Sequence, residues 1–238
     1  SDLCVAAAEK LMQEMNIDRE EIGVLVFVSQ TPDYYCIPNT ACILQDRLQL
    51  SKETLAFDVP LGCSGYVYGL SILASYLSSG QLKKGLLLVG DTASKTTNPK
   101  DKSAAMLFGD AAAATILEYD QKSDGIHFHM STDGSGYKAI IMPDGGYRNR
   151  YSAESLVEYT NSEGLTRCGM NVHLDGCDVF SFGITEAPKT VKRLTQKLDL
   201  KNENIDYMVF HQANKMMNEK IRKKLALEPG KVPYSLQH

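Results

Sequence analysis

The first 120 residues alternate two hydrophobic rhythms. In "LCVAAAEKLMQEMN" (3–16) and "NTACILQDRLQL" (39–50) apolar residues recur every three or four positions, the period of a helix with one buried face. Between and after them, "IGVLVFVS" (22–29) and "TLAFDV" (54–59) are short β-rich runs that read as strands. Beyond Cys63, "YVYGLSILASYLSSG" (66–80) predicts another helix closed by Gly80, and "GLLLVGD" (85–91) and "AAAATILEYD" (111–120) predict further strands. Such alternation predicts an α/β sandwich with buried, mostly parallel strands.

The pattern returns later in the chain. Residues 7–31, "AAEKLMQEMNIDREEIGVLVFVSQT", align without a gap to residues 190–214, "TVKRLTQKLDLKNENIDYMVFHQAN". Leu11 matches Leu194, Gln13 matches Gln196, Glu20 matches Glu203, Ile22 matches Ile205, and Val26-Phe27 match Val209-Phe210. An internal duplication accounts for this, with a chance alignment of two amphipathic αβ units as the alternative. The expected division is an N-terminal half over 1–120 and a second half over 121–238. That second half opens with a stretch, 121–178, rich in Gly, Asp, Ser and Asn, whose weak periodicity predicts a functional loop or cap folded over the end of a sheet.

Composition narrows the classes. A chain of 238 residues, 43% hydrophobic and 23% charged, is globular in character and can bury one large core or two smaller ones. A net charge of −4 gives no general reason to expect nucleic acid or an anionic membrane as partner, although a local basic patch can recruit an acidic protein. No apolar run approaches the roughly 20 residues that cross a bilayer. The start "SDLCVAAAEKLMQEM" lacks the layout of a signal peptide, so a cytoplasmic protein is expected. Six scattered cysteines (Cys4, Cys36, Cys42, Cys63, Cys168, Cys177) show neither a C-x-x-C pair nor zinc spacing, which predicts thiols rather than disulfides or a metal site.

Two residues carry candidate chemistry. Cys63 lies between a predicted strand and a predicted helix, flanked by Gly62 and Gly65. A strand-to-helix turn exposes its residue at the sheet's end, glycines permit strained dihedrals and close approach, and the helix start favours a thiolate. That describes an activated nucleophile whose own N–H faces an oxyanion. The bland reading, a small cysteine packed in the core, is preferred for Cys4, Cys42, Cys168 and Cys177. His211 ends the predicted strand "NIDYMVF", at a position where the duplicated half has Val28. An imidazole that breaks the symmetry at a strand's carboxyl end suggests a site that meets Cys63 across a pseudo-twofold axis, whereas His127, His129, His173 and His238 read as histidines satisfied near the surface.

Together "FDVPLGCSGYVYGL", "AAMLFGDAAAA" and "VFHQANKMM" resemble the 3-oxoacyl-[acyl-carrier-protein] synthase III family of condensing enzymes, along essentially the whole chain. The resemblance implies a thiolase-like duplicated αβαβα layered sandwich. It makes Cys63 the nucleophile that takes an acyl group from a thioester, and His211 the neutral donor that steadies the enolate formed when malonyl-carrier protein loses carbon dioxide. It matches Asn214 to a contact with the pantetheine arm, with Ala213 beside it, Phe180 to a wall of the substrate channel, and Cys177 to a position where a pantetheine-binding asparagine is common. Lys102 stands where an arginine often stacks on adenine, and Ile37 where a side chain reaches the acyl pocket of the other subunit of a homodimer. No cofactor is implied beyond coenzyme A or carrier-protein thioesters as substrates. Acyl carrier protein and acyl-coenzyme A are the implied partners, with no nucleic acid and no membrane.

The departures are specific. The family's third catalytic residue, an asparagine in a "GNTS"-like motif, is expected just after "VPYSLQH", and the opening strand and closing glycine-rich strand of the family also find no match. The expectation is a chain truncated at both ends relative to a protein roughly 100 residues longer, with little condensation activity of its own. Met216 replaces an arginine that many members direct at the carrier protein, but Lys215, Lys220, Lys223 and Lys224 stand nearby. Whether these lysines dock a carrier protein or form a solvated helix face stays open. Alternatives for the whole are acyl transfer without carbon–carbon bond formation, or a non-catalytic interaction subunit. A hydroxymethylglutaryl-type synthase is disfavoured because "VLVFVSQTPDYYCIPNTACILQ" contains no glutamate.

Overall fold

The computed structural model describes residues 1–236; His238 lies outside them. Contacts cluster into two compact units, one of Ser1–Lys95 with Gly109–His127, the other of Thr96–Phe108 with the chain from Phe128 onward. Residues 96–108 thus pack with the second unit.

In the first unit the elements follow the predicted order: α1 (Asp2–Met15), β1 (Ile22–Val28), α2 (Thr40–Arg47), β2 (Leu55–Val59), α3 (Gly65–Leu77), β3 (Lys84–Thr92) and β4 (Asp110–Glu118). The sheet runs β2-β1-β3-β4, parallel except for β4, which is antiparallel to β3. Successive strand residues face opposite sides. Accordingly Leu25 and Phe27 of β1 and Leu86 and Leu88 of β3 join the core shared with α1 and α2, while Val24, Val26, Val28 and Leu87 join Leu73 of α3 on the other face. Burial on both faces is why these two strands are nearly unbroken apolar runs.

The second unit is built on α4 (Gly176–Lys197) and α5 (Lys215–Lys224). Phe180, Ile184, Ala187 and Val191 form a helical stripe on α4 that packs with Met217, Ile221 and Leu225 of α5. The region predicted as a cap loop holds two short antiparallel ladders. One pairs β5 (Ile140–Ile141) with β8 (His173–Leu174), the other β6 (Tyr159–Thr160) with β7 (Thr166–Arg167).

The strand expected before His211 does not form among the described residues. A strand needs a hydrogen-bonded neighbour, and here the Met208 amide donates instead to the Lys231 carbonyl at 2.7 Å, outside any ladder. The two-residue alternation survives: Met208 and Phe210 pack into the core, whereas Tyr207 and Val209 are 69% and 74% exposed.

The duplication is written in the backbone. Helix α1 ends with Asn16 at φ 51° and α4 is followed by Asp199 at φ 52°, the left-handed conformation that closes a helix. In one, Asn16 and Ile17 donate to Gln13 and Met12; in the other, Asp199 and Leu200 donate to Gln196 and Thr195. Each is followed by a 3₁₀ turn, Arg19–Glu21 and Asn202–Asn204. A second echo, unmarked in the aligned sequence, follows α2 and α5. Gln49 (φ 52°) between Leu48 and Leu50 repeats as Ala226 (φ 53°) between Leu225 and Leu227, with the same pattern of carbonyl acceptors.

Candidate functional site

Cys63 is exposed, as predicted, on the turn between β2 and α3. Gly65 donates its amide to the Gly62 carbonyl at 2.7 Å, so Cys63 and Ser64 form the tip of that turn. The glycines are needed for closeness rather than for strained dihedrals: neither lies at positive φ. A β-carbon on Gly62 would stand 2.3 Å from Oε1 of Gln30, one on Gly65 2.4 Å from Cγ1 of Val28, and one on Gly69 2.4 Å from Cδ1 of Leu87. The first turns of α3 therefore rest directly on β1 and β3.

Buttressing comes from residues the sequence did not single out. Oδ1 of Asp91, at the end of β3, accepts from Ser29 Oγ (2.9 Å), the amides of Gln30 (2.8 Å) and Thr31 (3.0 Å), and Thr31 Oγ1 (3.0 Å). This fixes the loop that bears Gln30 against Gly62. Asp58 of β2 accepts from the amides of Thr40 (2.9 Å) and Ala41 (2.7 Å), capping α2 from the neighbouring strand. A charged residue at the end of a buried strand was the available signal for Asp91. Ile37, in the loop leading to α2, is 79% exposed.

Among the other cysteines, Cys4 and Cys168 are buried as expected, and burial pushes the Cys4 thiol up to about 11, holding it protonated. Cys42 and Cys177, expected to be packed, are exposed. The inward face of α2 is Thr40, Ala41 and Leu44, which turns Cys42 outward, and Cys177 precedes the inward stripe of α4. No disulfide occurs among the described residues. Of the histidines read as satisfied, His173 Nε2 lies 3.1 Å from the Cys168 carbonyl, but His129 Nε2 is buried without a hydrogen-bond partner among the described residues, a correction.

In the second unit, His211, Ala213, Asn214 and Lys215 gather at the N-terminal end of α5. His211 is exposed and its carbonyl accepts from Nδ2 of Asn218 at 3.1 Å. Asn214 is the N-cap of α5, its side chain accepting from the Met217 amide at 2.7 Å. Gln212 donates to the Phe210 carbonyl (2.8 Å) and accepts from the Ser235 amide (3.1 Å). Half-buried Ala213 and Phe180 join the core of this unit, and the first turn of α4 holds Cys177, whose amide donates to Asp175.

The lysines divide. Lys220 stands 5.0 Å over the ring of Phe180, and Lys215 lies 6.0 Å from that of Tyr234. Lys224 donates to the Ile184 carbonyl at 2.8 Å. That acceptor is four residues before Pro188, which sits inside α4 and has no N–H to offer it. Lys224 thus satisfies a carbonyl that proline leaves open, while Lys223 points to solvent.

Lys102 is exposed on the 98–103 turn. Asn98 and Lys100 both donate to Glu158 (2.8 and 2.7 Å), and buried Asp101 accepts from Ser103 and stands 3.8 Å from Arg167. Cys63 and Ile37 belong to the first unit and the remaining candidates to the second.

A helix, its left-handed cap and a 3₁₀ turn that recur in both units, and a cysteine at a strand-to-helix turn, define the thiolase-like fold class. Comparison with known proteins narrows this. Residues 57–134 match the family model of 3-oxoacyl-[acyl-carrier-protein (ACP)] synthase III, and residues 195–238 match that of its C-terminal part. A beta-ketoacyl-[acyl-carrier-protein] synthase III of Clostridioides difficile is 33% identical over 232 residues, 98% of this chain and 67% of that one. A Campylobacter jejuni relative is 35% identical over 98% of this chain and 65% of its own. The 2.1 Å crystal structure of a 3-oxoacyl-(acyl-carrier-protein) synthase III superposes with a TM-score of 0.95 at 37% identity, covering all of this chain and 71% of that one. A 3-oxoacyl-(acyl-carrier protein) synthase from Burkholderia xenovorans gives 0.88 at 36% identity, covering 99% and 65%. The chain belongs to the 3-oxoacyl-[acyl-carrier-protein] synthase III family, and it spans about two thirds of the length of these relatives.

Proposed function

We propose that the protein is a condensing enzyme that joins an acyl group to a malonyl unit in fatty-acid or related biosynthesis. The observation that carries this reading is Cys63, exposed at the tip of the β2–α3 turn within the family match, with its glycines packed against β1. The Cys63 thiolate attacks the carbonyl of an acyl thioester; a carbon–sulfur bond forms, the thiolate of coenzyme A leaves and takes a proton. Malonyl-carrier protein then loses carbon dioxide, and the electron pair of the broken carbon–carbon bond becomes an enolate whose oxygen accepts a hydrogen bond from neutral His211. The enolate carbon attacks the acyl-cysteine, a carbon–carbon bond forms, and the Cys63 thiolate is released with a 3-oxoacyl thioester as product.

The substrates are thioesters and the chemistry calls for no further cofactor. Lys102 receives the nucleotide end of coenzyme A, while Cys177, Phe180, Ala213 and Asn214 line the pantetheine path. Lys215 and Lys223, with Lys220 and Lys224 behind them, form the basic surface for an acidic acyl carrier protein. Ile37, projecting from its loop, is the contact to a second subunit in a cytoplasmic homodimer. Among the described residues no helix is long and apolar enough to cross a membrane.

Intact-mass spectrometry after incubation of the protein, as its gene encodes it, with acyl-coenzyme A tests the reading. An adduct is expected that is absent in Cys63→Ala; no adduct on Cys63 would refute it and favour an interaction subunit. Given an adduct, release of carbon dioxide from malonyl-carrier protein, lost in His211→Ala, distinguishes condensation from acyl transfer alone.

A further inference from the structure

Helix α5 buries one polar side chain in an otherwise apolar face. Met217, Ile221 and Leu225 are 7%, 3% and 6% exposed, and Asn218 among them is 1% exposed. A carboxamide in that position costs free energy unless it is hydrogen-bonded, and its Nδ2 donates to the carbonyl of His211 at 3.1 Å. The bond reaches back seven residues, from the first turn of the helix to the residue that carries the imidazole.

Side chains also hold the peptides around His211: Asn218 holds its carbonyl, and on either side Gln212 ties the Phe210 carbonyl to the Ser235 amide. Gln212 belongs to the "HQAN" run that the sequence points to, whereas Asn218 is visible only through its burial.

We infer that Asn218 is a positioning residue for His211: by anchoring the peptide at its carbonyl it sets the direction of the imidazole, and so governs decarboxylation rather than acyl loading. The inference rests on the condensing-enzyme reading and assigns Asn218 no contact with substrate. Displacing a donor by about 1 Å from a developing oxyanion costs up to about a hundredfold in rate, and a partial loss is expected from one anchor among several.

The test uses the protein as its gene encodes it, with Asn218→Leu, which fills the same space without a donor. Two half-reactions are measured: acylation of Cys63 by acyl-coenzymes of two to ten carbons, and release of carbon dioxide from malonyl-carrier protein. Acylation is expected to stay within about twofold while decarboxylation falls about tenfold. Asn218→Ser, smaller and still polar, is the second variant, and its shorter hydroxyl is expected to give the same split at reduced size. Equal losses in both half-reactions would mark a merely structural role and overturn the inference, as would decarboxylation left unchanged. No adduct on Cys63 in the unsubstituted protein refutes the condensing-enzyme reading and this inference with it; an adduct without the split refutes this inference alone.

Discussion

Gly65→Ala is the sharpest probe of the nucleophile turn. The added methyl would lie 2.4 Å from Cγ1 of Val28 and 3.2 Å from Cβ of Leu61. Carbons in contact sit about 3.5–4.0 Å apart, so the overlap with Val28 exceeds about 1 Å. Val28 is fully buried and β-branched, with little freedom to rotate away. The start of α3 must therefore lift from β1, carrying Cys63 two residues earlier with it. Overpacking of this kind costs about 1–3 kcal/mol, against which the better helix propensity of alanine returns less than about 1 kcal/mol. The net loss expected is about 1–2 kcal/mol, read from urea unfolding, with acylation of Cys63 slowed by up to about a hundredfold through misplacement. Gly62→Ala is the contrast, because its obstacle is the far end of the Gln30 side chain, which can swing aside. Adding Val28→Ala to Gly65→Ala makes room for the methyl, and a favourable coupling of about 0.5–3 kcal/mol between the two is expected. Gly65→Ala with unchanged stability and unchanged acylation, or a coupling of zero, would show that the turn does not owe its position to this contact.

Other consequences follow from the hydrogen bonds. Asp91→Ala strands the donors of Ser29, Gln30 and Thr31 and is expected to cost about 2–4 kcal/mol in urea unfolding. Glu219 accepts from Arg222 and from Tyr234, and these hold its carboxyl at about 2 instead of the ordinary 4.5. Because the folded value is the lower one, the stabilisation is present above pH 4.5 and is lost as pH falls through about 2. Urea midpoints of Glu219→Gln and the parent, compared between pH 7 and pH 3, should accordingly converge on acidification. Lys224→Met leaves the Ile184 carbonyl without its donor and should lower stability by about 1 kcal/mol, whereas Lys223→Met should not; equal effects would contradict the role of Pro188. Arg167→Met leaves the buried Asp101 carboxylate without its counter-ion and should cost about 3 kcal/mol by thermal unfolding, most of it recovered when Asp101→Asn is combined with it.

Periodicity alone determined the elements of the first unit, because their apolar residues recur with the spacing of the face they bury: the helices and strands over 2–92 and 110–118 form within a few residues of where the pattern puts them. The repeat was also legible, since helix caps and apolar positions are local features that survive duplication, as Asn16 and Asp199 do. Cys63 was recognisable from its flanking glycines, although the reason for them was not: their close approach to Gln30 and Val28 is a distance between segments far apart in the chain. The sequence likewise read "NIDYMVF" as a strand, which depends on a neighbour that periodicity does not supply. Only tertiary structure decided which polar side chains matter. Asp91 draws together a loop 60 residues earlier, Asn218 reaches the His211 carbonyl, and Lys224 serves a carbonyl on another helix. Apolar burial follows a repeating pattern that one sequence displays. A hydrogen bond is a directional pairing of two atoms, and the second atom becomes known only when the chain has folded back to it.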